Sequence, residues 1–241
     1  MDERKEKLFY TQKNGYDVMS VDERRLCEDY CRGYMRYLDA ARTEREAVRE
    51  AIALAQAAGF SELDESMSTI APGQKVYYNN RGKSLLLAVC GKKPMSAGCI
   101  IGAAHVDAPR LDLKQLPLYE DSELCYFRTH YYGGIKKYQW TAIPLELHGR
   151  VMLADGSAVD VVIGREADDP QFVITDLLPH LAADQMQKKM SEGVQGEKLN
   201  LLVGSIPYAG EGDDRVRLAV LSILNEKYGL TEADFISAEL E

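Results

Sequence analysis

The chain is short of several things that would narrow its class at once. It has no excess of basic charge: 29 Lys and Arg stand against 38 Asp and Glu, a formal net charge of -9. Nonspecific binding to nucleic acid rests on clustered Lys and Arg, so that class is set aside. It has no C-x-x-C pair, and its five cysteines, Cys27, Cys31, Cys90, Cys99 and Cys125, are odd in number and scattered. That argues against a disulfide framework. Cys27 and Cys31, four apart on one helical face, are expected to be small buried hydrophobes rather than half of a soft-metal site. No apolar run is long enough to span a bilayer, and no basic segment followed by an apolar one opens the chain. The expectation is a cytoplasmic protein without membrane or nucleic-acid partners. Neither G-x-S-x-G nor a Cys-His pairing points to a serine or thiol hydrolase, and no internal repeat is visible.

What is present suits an ordinary globular protein: 241 residues, 46% hydrophobic and 28% charged, enough for one large or two small domains. Residues up to Tyr16 are polar and are expected to be irregular. Ser20-Val21-Asp22-Glu23 has the form of a capping box and predicts a helix, along which Leu26, Tyr30, Tyr34, Tyr37 and Leu38 recur at helical spacing. Thr43 to Glu46 has the same form and predicts a second helix through Ala58, with Gly59 as its stop. Residues 76–83 read as strand, turn and start of a strand, and residues 84–89 as a buried strand.

The apolar run Cys99-Ile100-Ile101-Gly102-Ala103-Ala104 predicts another strand, ending on His105. Side chains alternate along an extended chain, so Asp107 can face the same way as His105. A carboxylate beside a metal-binding imidazole fixes its tautomer and raises its basicity, which makes His-x-Asp a candidate piece of a metal site. From Pro109 the pattern turns to alternating strands, a β-rich insert over about residues 110–210, with Asp155-Gly156 marking a hairpin. Within it, residues 177–191 read as one helix. Residues 213–228 read as another, stopped by Gly229, and residues 234–241 alternate like a strand. His130 and His148 are expected to pack or to line an interface, and Gly133-Gly134 to form a tight turn.

Taken together, several segments resemble one family, the aspartyl aminopeptidase and vacuolar aminopeptidase I family of two-zinc metallopeptidases. They are Thr43 to Glu46 through Gly59-Phe60, Ala104-His105-Val106-Asp107-Ala108-Pro109-Arg110, Tyr132-Gly133-Gly134 with Trp140, Pro144-Leu145 to His148-Gly149, Thr175 to Leu181, Gly196-Glu197, and Lys227-Tyr228-Gly229 with Phe235 to Glu241. No single piece is very specific; their joint occurrence in the family's order is. Tyr132-Gly-Gly-Ile-Lys-Lys-Tyr-Gln-Trp140 is closest to the bacterial branch.

The resemblance implies an α/β fold: part of a zinc-peptidase (phosphorylase/hydrolase-like) catalytic domain interrupted by a β-rich dimerisation domain. Residues 1–109 would begin the catalytic domain, 110–229 form the dimerisation or lid domain, and 230–241 re-enter the catalytic domain. It implies a zinc-dependent aminopeptidase that releases N-terminal residues from peptides, with two zinc ions, a peptide substrate, and a homodimer that can build dodecamers. His105 would be a zinc ligand, Asp107 its orienting carboxylate, and His180 would act in trans on the substrate carbonyl or its oxyanion. The family's bridging aspartate, glutamate pair, further acidic ligand and late histidine belong after Glu241, so the chain resembles the N-terminal half of a member. Asp213-Asp214-Arg215 is not the bridging motif, since it precedes Phe235 to Glu239 rather than following it; acids ahead of an apolar helix suit its positive end. With one histidine ligand the chain alone is expected to have little or no peptidase activity. The alternative is a non-catalytic fragment or paralogue acting as a dimerisation or assembly module.

Overall fold

The computed structural model describes residues 3–64 and 66–241. They fall into two compact units: one comprises the residues through Arg42 with Glu46–Lys93, the other Thr43–Arg45 with Pro94–Glu241.

The first unit opens with helices α1 (Glu3–Leu8) and α2 (Gly15–Val18), so the segment expected to be irregular carries two short helices. The Asn14 side chain accepts the Tyr16 N–H at 3.0 Å and starts α2. Helix α3 (Val21–Ala40) begins on the predicted capping box: Ser20 Oγ accepts the Glu23 N–H at 3.2 Å, and the Glu23 carboxylate accepts the Ser20 N–H at 2.8 Å. Its apolar stripe is bare; Leu26, Tyr30, Tyr34 and Leu38 are all exposed. Cys31 is exposed as well and Cys27 only half-buried, which corrects the expectation of buried cysteines: among the described residues of this unit, that face is left uncovered. Helix α4 (Glu44–Ala57) follows, its Glu46 carboxylate accepting the Arg42 N–H at 3.0 Å. It stops at Gly59, whose φ of +83° a Cβ would disfavour.

Strands β1 (Ser61–Glu62), β2 (Lys75–Asn80) and β3 (Ser84–Val89) form a sheet in that order, β1 parallel and β3 antiparallel to β2. The hydrophobic core of this unit is small: Ala47, Val48, Ala55, Val76 and Tyr77, with Gln56 Nε2 donating to the Tyr77 hydroxyl at 2.9 Å. The strand predicted over 84–89 is there but is not buried. β3 is an edge strand, and Leu86 remains 57% exposed.

In the second unit, residues 98–109 have no regular secondary structure. The strand predicted at 99–104 does not form, and Ile100 and Ile101 stand in solvent. A strand needs a neighbour to take its N–H and C=O groups, and among the described residues no strand pairs with this run.

From Arg110 the chain turns to sheet. Strands β4 (Arg110–Asp121) and β5 (Leu124–Tyr132) form a long hairpin closed by Ser122 and Glu123, both at positive φ, the twist a two-residue hairpin loop requires. The register slips between Leu113 and Leu118, where Leu116 also takes positive φ ahead of Pro117, a bulge that accommodates the missing N–H. Strands β6 (Pro144–Leu145), β7 (Leu147–Met152), β8 (Ala158–Ile163), β9 (Phe172–Val173), β10 (Leu201–Gly204) and β11 (Ala238–Leu240) complete two sheets, ordered β4-β5-β10-β9-β6 and β11-β7-β8. The β7–β8 hairpin turns through the predicted Asp155-Gly156, with the Asp155 carboxylate accepting the Ser157 N–H at 2.8 Å.

The region predicted as one helix over 177–191 is instead a turn at 179–181 followed by α5 (Ala183–Met186) and α6 (Met190–Gly193), separated by an extended Lys189. Leu177, Leu178, Leu181, Met186 and Met190 are all exposed. Short helices depend on burying an apolar face, and here the described residues leave that face uncovered. Helix α7 (Arg215–Tyr228) forms as expected and stops at Gly229, φ +72°.

Between the sheets and α7 lies a continuous core centred on Phe127, whose ring meets Phe172 and Phe235 at 6.3 and 5.9 Å. Residues 230–241 belong to it: Leu230, Phe235 and Leu240 are buried, and β11 pairs with β7. Gly149 permits that pairing, since a Cβ there would sit 1.9 Å from the Glu239 carbonyl oxygen. No helix among the described residues is long and apolar enough to cross a membrane.

Candidate functional site

His105 and Asp107 lie in the irregular stretch before β4, and their side chains meet. Nδ1 of His105 is 3.0 Å from Asp107 Oδ1 and 2.9 Å from the Asp107 carbonyl oxygen. An ionised carboxylate and a carbonyl can only accept, so Nδ1 is the donor. The neutral ring therefore has its lone pair on Nε2, and its side chain is 82% exposed. This is the tautomer a metal-binding imidazole uses when a carboxylate holds its other nitrogen.

The second oxygen of Asp107 is also engaged. Tyr132, the last residue of β5, donates its hydroxyl to Asp107 Oδ2 at 2.7 Å. That hydrogen bond is the largest influence holding the Asp107 carboxyl below the usual carboxylate range; burial opposes it, and the residue's own backbone N–H and the His105 contact add to the lowering. For the same reason the Tyr132 hydroxyl is held above its ordinary value.

The Tyr132 ring is in turn covered by Arg110, whose guanidinium lies 4.3 Å from the ring centroid. Arg110 and Tyr132 are cross-strand partners in the β4–β5 ladder. Three carboxylates surround Arg110: Asp112 at 2.6 Å, Glu44 at 3.4 Å, and Glu241. Burial works against its charged form, but the Asp112 hydrogen bond and the charges of Glu241, Asp112 and Glu44 outweigh it and hold the guanidinium above its ordinary value. Arg45 adds a further ion pair to Glu239. Residues from the start of α4, the start of β4 and the end of the chain thus meet at Arg110.

The other histidines stand apart from this contact. His180 is exposed in the turn at 179–181, and no hydrogen bond or ion pair joins it to His105 or Asp107. His130 stacks on Tyr131 at 5.7 Å and lies 4.0 Å from Glu197. His148 is buried, with Nε2 2.8 Å from Glu146, and its backbone exchanges two hydrogen bonds with Glu241. Asp214 takes a left-handed conformation just ahead of α7 and lies 3.6 Å from Arg217. It borders a cavity with Glu120, Ser122, Glu123, Asp213 and Arg215.

The donor set suits zinc at a single coordination position, through His105 Nε2 with Asp107 behind it. Among the described residues no group of three or more His, Cys, Asp or Glu is placed to hold a metal ion. Sequence reasoning found His105 and Asp107 but missed Tyr132 and Arg110. Tyr132 is 25 residues from Asp107, and only the β4–β5 pairing brings it back.

An α/β chain with an oriented His-x-Asp has clear relatives. Residues 37–241 match the family described as aminopeptidase I zinc metalloprotease (M18). A protein of Clostridium acetobutylicum named "Probable M18 family aminopeptidase 1" is 46% identical over 240 residues, covering 97% of this chain and 51% of its own length. Its namesake in Thermotoga maritima is 44% identical over 214 residues, 89% of this chain and 47% of its own. The crystal structure of the M18 aminopeptidase from Thermotoga maritima superposes with a TM-score of 0.88 at 40% identity, covering 97% of this chain and 50% of that one. A yeast aminopeptidase 1 dodecamer, 19% identical with a TM-score of 0.62, shares the fold over 88% of this chain.

The chain belongs to the aminopeptidase I (M18) family of zinc metalloproteases. It spans about half the length of the curated relatives it matches.

Proposed function

We propose that the chain contributes to a zinc-dependent aminopeptidase that releases N-terminal residues from peptides by means of metal-activated water. The observation that carries this is the His105 tautomer: Nδ1 committed to Asp107, Nε2 free. His105 would be the ligand and Asp107 the residue that orients it. When bound, zinc polarises the scissile carbonyl and lowers the pKa of a coordinated water to about 7 in well-studied sites. This chain's own residues present one imidazole in a fixed tautomer and hold it there. His180, carried by an exposed apolar turn, would contact the substrate carbonyl or oxyanion in a neighbouring copy of a homodimer, as positioned donors do. The domain division that accompanies this reading is 1–109 and 230–241 for the catalytic part and 110–229 for the dimerisation part; the dodecamer of yeast aminopeptidase 1 supports assembly beyond the dimer.

A catalytic zinc ordinarily takes about three protein ligands, and the described residues gather no such group. Hence the chain by itself would bind zinc weakly and release little or no amino acid. The same observation favours the second reading, a non-catalytic assembly module. Equilibrium dialysis against zinc, with His105→Gln beside the unaltered chain, tests the ligand role: uptake should fall at least tenfold in the variant, and equal uptake sinks that role. Robust zinc-dependent release of N-terminal residues by the purified 241-residue chain would overturn the prediction of inactivity.

A further inference from the structure

Residues 98–109 have no regular secondary structure, and the His105 side chain is mostly in solvent. No strand ladder therefore holds this segment; the imidazole is aimed by Asp107, through its carbonyl oxygen at 2.9 Å and Oδ1 at 3.0 Å from Nδ1. The carboxylate, in an irregular segment, is free to rotate unless its other oxygen is held. Tyr132 holds it. Unlike His105 and Asp107, Tyr132 sits on a strand, opposite Arg110 in the ladder, with its ring beneath the guanidinium. Arg110 is fixed by Asp112, Glu44 and Glu241. Gly133, next in sequence, brings its backbone against Pro109, where a Cβ would lie 3.4 Å from the Pro109 Cα. The rigid end of the β4–β5 hairpin is thus pressed against the segment that carries the histidine.

We infer that Tyr132 is a positioning residue for the metal site: its hydroxyl clamps Asp107, and Asp107 in turn holds His105 as the Nδ1–H tautomer with Nε2 ready for a metal. Arg110 keeps the Tyr132 ring in place by stacking on it. This rests on the reading of His105 as a ligand. It adds that the ligand's orientation comes from β5, a strand beyond the His-x-Asp segment.

Histidine 15N chemical shifts report which ring nitrogen carries the proton, and they can be read on the metal-free 241-residue chain at a pH where the imidazole is neutral. In the unaltered chain the Nδ1–H form of His105 should dominate. Asp107→Ala provides the reference for loss of the side-chain contact, with the carbonyl of residue 107 still beside Nδ1. Tyr132→Phe removes one hydroxyl and keeps the ring under Arg110; it should lower the ratio of Nδ1–H to Nε2–H by roughly three- to tenfold, the scale of one net hydrogen bond. A ratio unchanged in Tyr132→Phe overturns the inference. So does a Tyr132→Phe chain that loses its dispersed amide spectrum, because the hydroxyl would then be holding the fold and not the histidine. Zinc uptake by His105→Gln separates the two readings: if uptake is unaffected, the ligand role fails whatever the tautomer ratio shows.

Discussion

Phe127 in the second unit is 1% exposed, while Leu86 in the first is 57% exposed, although both lie in strands that the sequence marks as apolar. The second unit closes a core among two sheets and a helix, with the Phe127 ring meeting those of Phe172 and Phe235. Among its described residues the first buries apolar side chains of α4 and β2, while the stripe on α3 and much of β3 are left in water. Apolar sequence is thus a necessary condition for burial and not a sufficient one. A strand or helix becomes core only where a second layer covers it. The difference also bears on the proposed metal site. His105 lies in an uncovered stretch, whereas Tyr132 and Arg110, the residues proposed to order it, belong to the β4–β5 hairpin.

The comparison can be broken most sharply at Phe127. Phe127→Ala should cost about 3–5 kcal/mol, the range for a large core truncation, read as a lower denaturant midpoint for the second unit. A loss below ~1 kcal/mol would mean that its core is not the cooperative centre described here.

Cysteine chemistry sharpens the contrast with a smaller effect. Cys125 is fully buried, and burial pushes its thiol up to about 11 from an ordinary 9.0, whereas Cys31 and Cys99 are exposed. Thiol-specific labelling of the native chain should modify Cys31 and Cys99 first and reach Cys125 only through unfolding. The pH dependence follows from the same shift. An acid whose folded pKa is raised keeps its proton where the unfolded chain has already lost it. Its contribution is therefore complete below about pH 9 and declines as pH rises toward 11. Cys125→Ala should remove that decline; a Cys125→Ala chain whose stability falls identically over that interval would refute the assignment.

The smallest effect should be at Leu86. Leu86→Gln on the exposed edge strand is expected to change stability by no more than about 0.5 kcal/mol. It should also reduce self-association measured by sedimentation, because uncovered apolar edges favour it. A large loss of stability would show that the strand is covered in solution.

Much of the local structure was readable because its causes are local. Ser20 and Glu23 start α3, Gly59 and Gly229 stop α4 and α7, and Asp155-Gly156 turns the β7–β8 hairpin. Each depends on a few neighbouring residues and on backbone conformations that glycine adopts without strain. The readings that failed depended on partners elsewhere. Among the described residues, 99–104 have the composition of a strand but no strand beside them, and 177–191 have the spacing of a helix but an apolar face left uncovered.

The candidate site divides along the same line. The His105–Asp107 contact was legible because the two residues are two apart and their hydrogen bond is local, although the strand expected to carry them does not form. The family was legible too, from motifs in a shared order along the chain. Tertiary structure decided the rest: that β5 returns Tyr132 to the far oxygen of Asp107, that Arg110 gathers carboxylates from residues 44, 112 and 241, and that Gly149 lets β11 close against β7. Caps, turns and a His-x-Asp contact act over a few residues, so sequence alone determines them. Burial and long-range hydrogen bonds require segments far apart in sequence to meet, and only the folded chain decides which do.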